Sequence, residues 1–241
     1  MTRRFFLASS AALSAGCALR RPAADATESA TASLAQKVRQ PALGQSWRYS
    51  QHDLYTRSLL SNQVDRVAAI DRTVEIDSTS EPAKKPPGAH NPSVAGVREI
   101  QNPWGMILVD PHWGQVQFYE TAIPLWPEQL RPGWQARVST KYTTPLNQDP
   151  LSWIQAMKAH AWEIVKVPAG QFKALRVTNV INFKHGDISR TDSVRRETLW
   201  FAPEVGRWVV RESKGSYYED NSAADQPYNE NAFRWELLEW S

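Results

Sequence analysis

The sequence predicts an all-β fold: a single, strongly curved antiparallel sheet of about eight to ten strands, shaped as a half-barrel or folded over on itself, with long proline-rich loops. Three observations predict it. Side chains alternate at a step of two in several stretches, most clearly over 134–142. There Trp134, Ala136, Val138, Thr140 and Tyr142 share one face, and Gln135, Arg137, Ser139 and Lys141 share the other. Two turn signatures join such stretches. Val167-Pro168-Ala169-Gly170 interrupts WEIVKVPAGQFKALRVTNVINF, and Pro203 to Gly206 interrupts ETLWFAPEVGRWVVRES. Proline pre-sets φ near the start of a turn, and glycine accepts the left-handed conformation before the return strand. Finally, the chain holds 11 tryptophans, a side chain that favours pleated, half-buried surfaces.

Taken in order, residues 1–16 read as an export signal. Arg3 and Arg4 precede Phe5, Phe6 and Leu7, a pattern of the twin-arginine type, and the apolar run to Leu19 is too short to span a bilayer. LSAGC, Leu13 to Cys17, resembles a lipobox, which makes Cys17 the expected lipidation site. Ser14 stands where the motif usually has leucine. Ordinary cleavage after Ala26 is the rival reading. Residues 17–43, rich in Ala, Ser and Thr, are expected to be a flexible tether, and 44–241 a single β domain.

Within that domain Trp47, Tyr49 and Tyr55 open a strand, and Ser61-Asn62 is expected to turn the chain. Ala68, Ile70, Val74 and Ile76 mark a hairpin with one wet face. Residues 78–97 carry four prolines and read as a solvated loop. Trp104 to Asp110 is a near-continuous apolar run, hence a strand covered on both faces. Pro111 to Gly114 turns the chain into a strand near Val116 and Phe118. Pro124 to Trp134 reads as an irregular crossover, and Thr143 to Asp149 as a second loop. Leu175, Val177, Ile181 and Phe183 share one face of the return strand, with Asn179 its polar member. Phe233, Trp235 and Leu237 do the same in the last strand.

Composition narrows the chemistry. The formal net charge is +3, and +1 once Arg3 and Arg4 leave with the signal. That is too little to attract nucleic acid. One cysteine excludes a disulfide framework within the chain. None of the five histidines pairs at i, i+4 spacing, so no metal or other cofactor is expected. Asp110 and His112 form the one close acid–histidine pair, which suits a turn held by an aspartate side chain as well as it suits a ligand set. With no G-x-S-x-G elbow and no glycine-rich phosphate cradle, the chain is not expected to be an enzyme.

VPAGQFKALRV resembles a motif of uncharacterised Gram-negative envelope domains, in which VPAG-x-F joins two long antiparallel strands. In that group a W-[FY]-x-P-x-[VL]-[GK] hairpin follows, matched here by Trp200 to Gly206, and a strand-opening G-x-x-W is echoed by Pro132 to Trp134. The resemblance covers roughly residues 124–213. It implies a curved sheet similar to the lipoprotein-carrier half-barrel, a broader group that holds acyl chains in the concave face; it carries no catalytic residues. Trp134, Val138, Tyr142, Leu175, Val177, Ile181, Phe183 and Trp200 are the expected lining of such a groove. The expected role is that of a non-enzymatic lipoprotein on the periplasmic side of the outer membrane, or a soluble periplasmic protein. It would bind a lipid or an envelope protein. The alternative is a structural or assembly protein with a packed core and no ligand.

Overall fold

A computed structural model describes residues 37–83, 97–113, 115–220 and 226–241. Cys17, the export signal and most of the expected tether lie outside them. Among the described residues all regular structure is β, in thirteen strands: β1 (Ser46–Asp53), β2 (Leu59–Ile70), β3 (Val74–Pro82), β4 (Val97–Gln101), β5 (Met106–Asp110), β6 (Gln117–Pro124), β7 (Gln135–Thr144), β8 (Asn147–Val167), β9 (Gly170–Phe183), β10 (Arg190–Ala202), β11 (Arg207–Glu219), β12 (Tyr228–Asn229) and β13 (Phe233–Trp240).

The sheet closes. Strands β1 to β10 pair in sequence order as an antiparallel meander, and β10 also pairs with β11. The last strand seals the ring: β13 pairs with β1 on one side (Trp47↔Trp240) and with β11 on the other (Arg211↔Trp235). The result is a twelve-strand barrel, with β12 an appendage on β11. The expectation of a half-barrel is therefore corrected. Closure by β13 pairs the two end strands that an open sheet would leave as edges, and it joins residues nearly 200 apart, as the Trp47–Trp240 pair shows.

Local sequence explains the turns. Gly206 has φ +74° between β10 and β11, and its close approach to Arg39 leaves no room for a Cβ. The β8–β9 hairpin turns at Pro168–Ala169, as its signature predicts, and its tip is held to the wall by Ala169 N–H donating to the Leu237 carbonyl (3.1 Å). The first turn differs. Ser61-Asn62 lies inside β2; the chain turns earlier, where the Asp53 carboxylate accepts the N–H groups of Tyr55 and Thr56 (both 2.7 Å). Likewise 78–82 continue β3 before the loop begins. The described part of the expected tether, 37–43, lies against the barrel. Arg39 donates its N–H to Pro203 (2.8 Å), and its carbonyl accepts from Trp104 Nε1 (3.1 Å).

Two apolar clusters fill much of the lumen. One gathers Trp47, Tyr49, Ile76, Leu175, Val177, Trp208, Trp235 and Leu237. The other gathers Ile107, Tyr119, Tyr142, Trp153, Ile181 and Phe183. Between them five strands bury polar side chains: Ser61, Gln63 and Asp65 from β2, Glu99 and Gln101 from β4, Asn179 from β9, Glu197 from β10, Arg207 and Arg211 from β11. A bulge in the pairing of β10 with β11, between Trp200 and Phe201, upsets the alternation there, and Arg207 through Arg211 are all buried.

Candidate functional site

The polar belt is an ion network built on Arg207. Its Nη1 donates to Glu99 Oε1, and its Nη2 to Asp65 Oδ2 and Glu99 Oε2, all at 3.0 Å. Asp65 Oδ1 also accepts from Gln63 (2.8 Å) and Ser78 (2.7 Å). Burial opposes the ionisation of Asp65, but the Arg207 guanidinium and His112 outweigh it and hold the carboxyl well below the usual range. Neighbouring Arg211 donates to Glu197 (2.7 Å), which also accepts from Asn179 (3.2 Å).

The loop between β5 and β6 delivers the remaining groups. Asp110, at the end of β5, accepts the backbone N–H of His112 (2.9 Å), so the aspartate-held turn that its sequence suits does form. The same oxygen meets His112 Nδ1 (2.8 Å), and the other accepts from Trp113 Nε1 (3.0 Å). The turn thereby drops His112 into the lumen, with its side chain 2% exposed. Its Nδ1 is 3.6 Å from Glu99 and its Nε2 is 3.7 Å from Asp65. Burial favours the neutral ring, yet Asp110 and Asp65 prevail and raise the imidazole to about 9. The electrostatic reason is plain: Asp65, Glu99, Asp110 and Glu197 outnumber Arg207 and Arg211, and an imidazolium narrows the imbalance.

Trp113 caps this end of the barrel. Arg195 lies 3.8 Å and Arg211 4.8 Å from its ring centroid, a doubly cation-faced tryptophan. Arg195 also pairs with Glu230 (3.2 Å). Cavities border the cap, one of about 390 Å³ beside His112 and Gln63, the other of about 320 Å³ beside Arg190 and Arg195. Among the described residues no cluster of His, Cys, Asp and Glu is arranged to hold a metal ion. Among the described residues His112 Nε2 has no hydrogen-bond partner, and it faces the Asp65 carboxylate.

The expected groove residues part company. Tyr142, Leu175, Val177, Ile181 and Phe183 are buried in the packed interior. Trp200 instead donates Nε1 to Glu163 (2.8 Å), which also accepts from Arg176 (2.7 Å). Trp134 and Val138 do line a groove, of about 520 Å³, shared with Met106, Pro124, Trp104 and Trp126. It opens at a seam in the wall. Strands β6 and β7 pair only at Phe118↔Thr143 and Tyr119↔Tyr142. Beyond these rungs two side chains bridge the gap: Thr140 Oγ1 accepts the Thr121 N–H (3.1 Å), and Gln155 donates to the Pro124 carbonyl (3.0 Å). Trp126 is seated over Gly105, φ +93°, where a Cβ would come within 2.6 Å of the indole.

Sequence reasoning missed Asp65, Glu99, Arg207 and Arg211. Their signal was present but ambiguous: charged residues at a step of two read as a wet outer face.

No family model and no curated protein matches the chain. Solved structures do. One is an inferred lipoprotein from Parabacteroides distasonis, with TM-score 0.47 and 16% identity over 83% of this chain and 96% of that one. Another is an inferred exported protein with a YmcC-like fold from Bacteroides fragilis, with TM-score 0.54 and 12% identity over 85% of this chain and 99% of that one. The second likeness covers most of the chain, and at that identity what the two chains share is the fold.

Proposed function

We propose that the chain is an exported, lipid-anchored envelope protein that acts by contact with a partner, without catalysis, and whose lumen is structure and not a ligand chamber. The observation that carries this reading is the filled interior. Five of the side chains expected to shelter an acyl chain are core residues, and the space between the apolar clusters is taken by the Arg207 network. An acyl chain has no reason to enter a lumen lined by ionised groups. Export and anchoring are supported by the paired arginines and the LSAGC segment ending at Cys17, and by the exported character inferred for the Bacteroides protein of the same fold. Anchoring at the periplasmic face of the outer membrane is the reading that Ala18 supports, since it is not the aspartate associated with inner-membrane retention.

Two measurements test this. Radiolabelled palmitate should enter the wild-type protein and not Cys17→Ala; equal labelling ends the anchor. Cross-linking in intact cells should capture one dominant protein neighbour. Lipid that co-purifies stoichiometrically by native mass spectrometry, without such a neighbour, refutes action by contact.

A further inference from the structure

The seam between β6 and β7 is more than an apolar groove, because one of its walls is a free strand edge. Just before β7 the Trp134 carbonyl accepts from Ala159 N–H on the β8 side (2.9 Å), and the β7–β8 register is unbroken from Gln135 to Tyr142. Alternation therefore aims the backbone groups of Ala136 and Val138 at β8, and those of Gln135, Arg137 and Ser139 at the seam. Among the described residues no backbone rung joins 135–141 to β6. The side chains of Trp134, Ala136 and Val138, two apart, line the groove beside this edge. Gln135, Arg137, Ser139 and Lys141 are exposed on the other face. There Arg137 and Lys141 stand opposite Ala156 and Ser152, with Lys158 opposite Gln135. No acid on β8 answers them, and among the described residues none of the three cations has an ion-pair partner.

We propose that β7 accepts an added strand: an extended peptide of a partner protein, with apolar residues at every second position and acidic residues between them. Its backbone would complete the ladder of Gln135, Arg137 and Ser139, its apolar side chains would enter the groove of Trp134 and Val138, and its carboxylates would meet Arg137, Lys141 and Lys158. An acyl chain could use the groove alone, but it would leave both the backbone groups and the cationic face unanswered. The idea deepens the reading of action by contact, and it does not depend on anchoring through Cys17.

The test uses the purified full chain and a synthetic peptide alternating valine and glutamate. Amide exchange at Arg137 and Ser139 should be fast in the free protein and slow about tenfold or more with peptide, the protection of one added hydrogen bond. Ala136 and Val138 should be protected throughout. Ser139→Pro removes a donor that faces the seam and leaves the β8 ladder intact, so it should weaken peptide binding about tenfold. Arg137→Glu should weaken it further and favour a valine–lysine peptide. Arg137 and Ser139 amides already protected without peptide would overturn the proposal. So would their unchanged exchange at saturating peptide, or equal binding of a peptide with its valines and glutamates in separate blocks. Saturable uptake of a fluorescent fatty acid with no peptide binding would assign the groove to lipid. Each of these outcomes leaves the palmitate result untouched, so a failed strand does not count against export.

Discussion

Protonation of His112 should make stability depend on pH in a direction opposite to that of most buried histidines. In the unfolded chain the imidazole titrates near its ordinary value of 6.5, and in the lumen it is raised to about 9. A group whose folded pKa is raised contributes stability that is fully present below the unfolded pKa and lost as pH rises through the folded one. The window is therefore about pH 6.5 to 9, and each unit is about 1.4 kcal/mol, giving on the order of 3 kcal/mol lost across it. The side chain is 2% exposed, so solvent screening does not shrink this figure. The assay is urea unfolding of wild type and His112→Gln at half-unit steps of pH. Other groups titrate in the same range, so the difference between the two curves is the quantity that matters. It should be largest near pH 6 and nearly gone by pH 10. Parallel curves would refute the imidazolium and, with it, the charge balance assigned to the belt.

Arg207→Met should cost about 3–5 kcal/mol, since it leaves Asp65 and Glu99 buried without their guanidinium. Adding Glu99→Gln should recover part of that loss, whereas simple additivity in unfolding midpoints would show that the pair does not interact. Tyr142→Phe should cost only about 1 kcal/mol, the hydrogen bond from its hydroxyl to the Lys184 carbonyl (2.8 Å). Thermal melting checks that, and a larger loss would mean a role beyond packing. Gly206→Ala should cost about 1–3 kcal/mol, because φ is +74° and the new Cβ would stand 2.8 Å from the Arg39 carbonyl. Limited proteolysis should then cut more readily within 37–43.

The later hairpins were legible because their turn chemistry is local. Pro168 and Gly206 act on their own backbone, and the step of two in Leu175, Val177, Ile181 and Phe183 marks a single face, which the structure buries. The first hairpin was misread because its inward face is polar. On β2 the buried side chains are Ser61, Gln63, Asp65 and Val67, while Ile70, taken from its hydrophobicity as part of the covered face, is 45% exposed. A lumen that holds salt bridges inverts the usual correspondence between polarity and solvent, and no periodicity analysis of one strand sees the cation on another that makes this tolerable. Closure was hidden for a related reason. Nothing in FRWELLEW says that its two edges find β1 and β11; that depends on twist accumulated over the nine strands between those two. The candidate groove was half legible: the shared face of Trp134 and Val138 was visible, but the parting of β6 from β7 that exposes it was not.

Sealing by β13 has a consequence for how the molecule is made. Strand β1 neighbours β13, so the ring stays open until β13 is made, with Trp47 waiting for Trp240 and with Asp65 and Glu99 waiting for Arg207. Until then an ionisable belt is exposed to water at little cost, whereas a greasy one would invite aggregation. A salt-lined interior suits a nascent chain that must wait for its own tail.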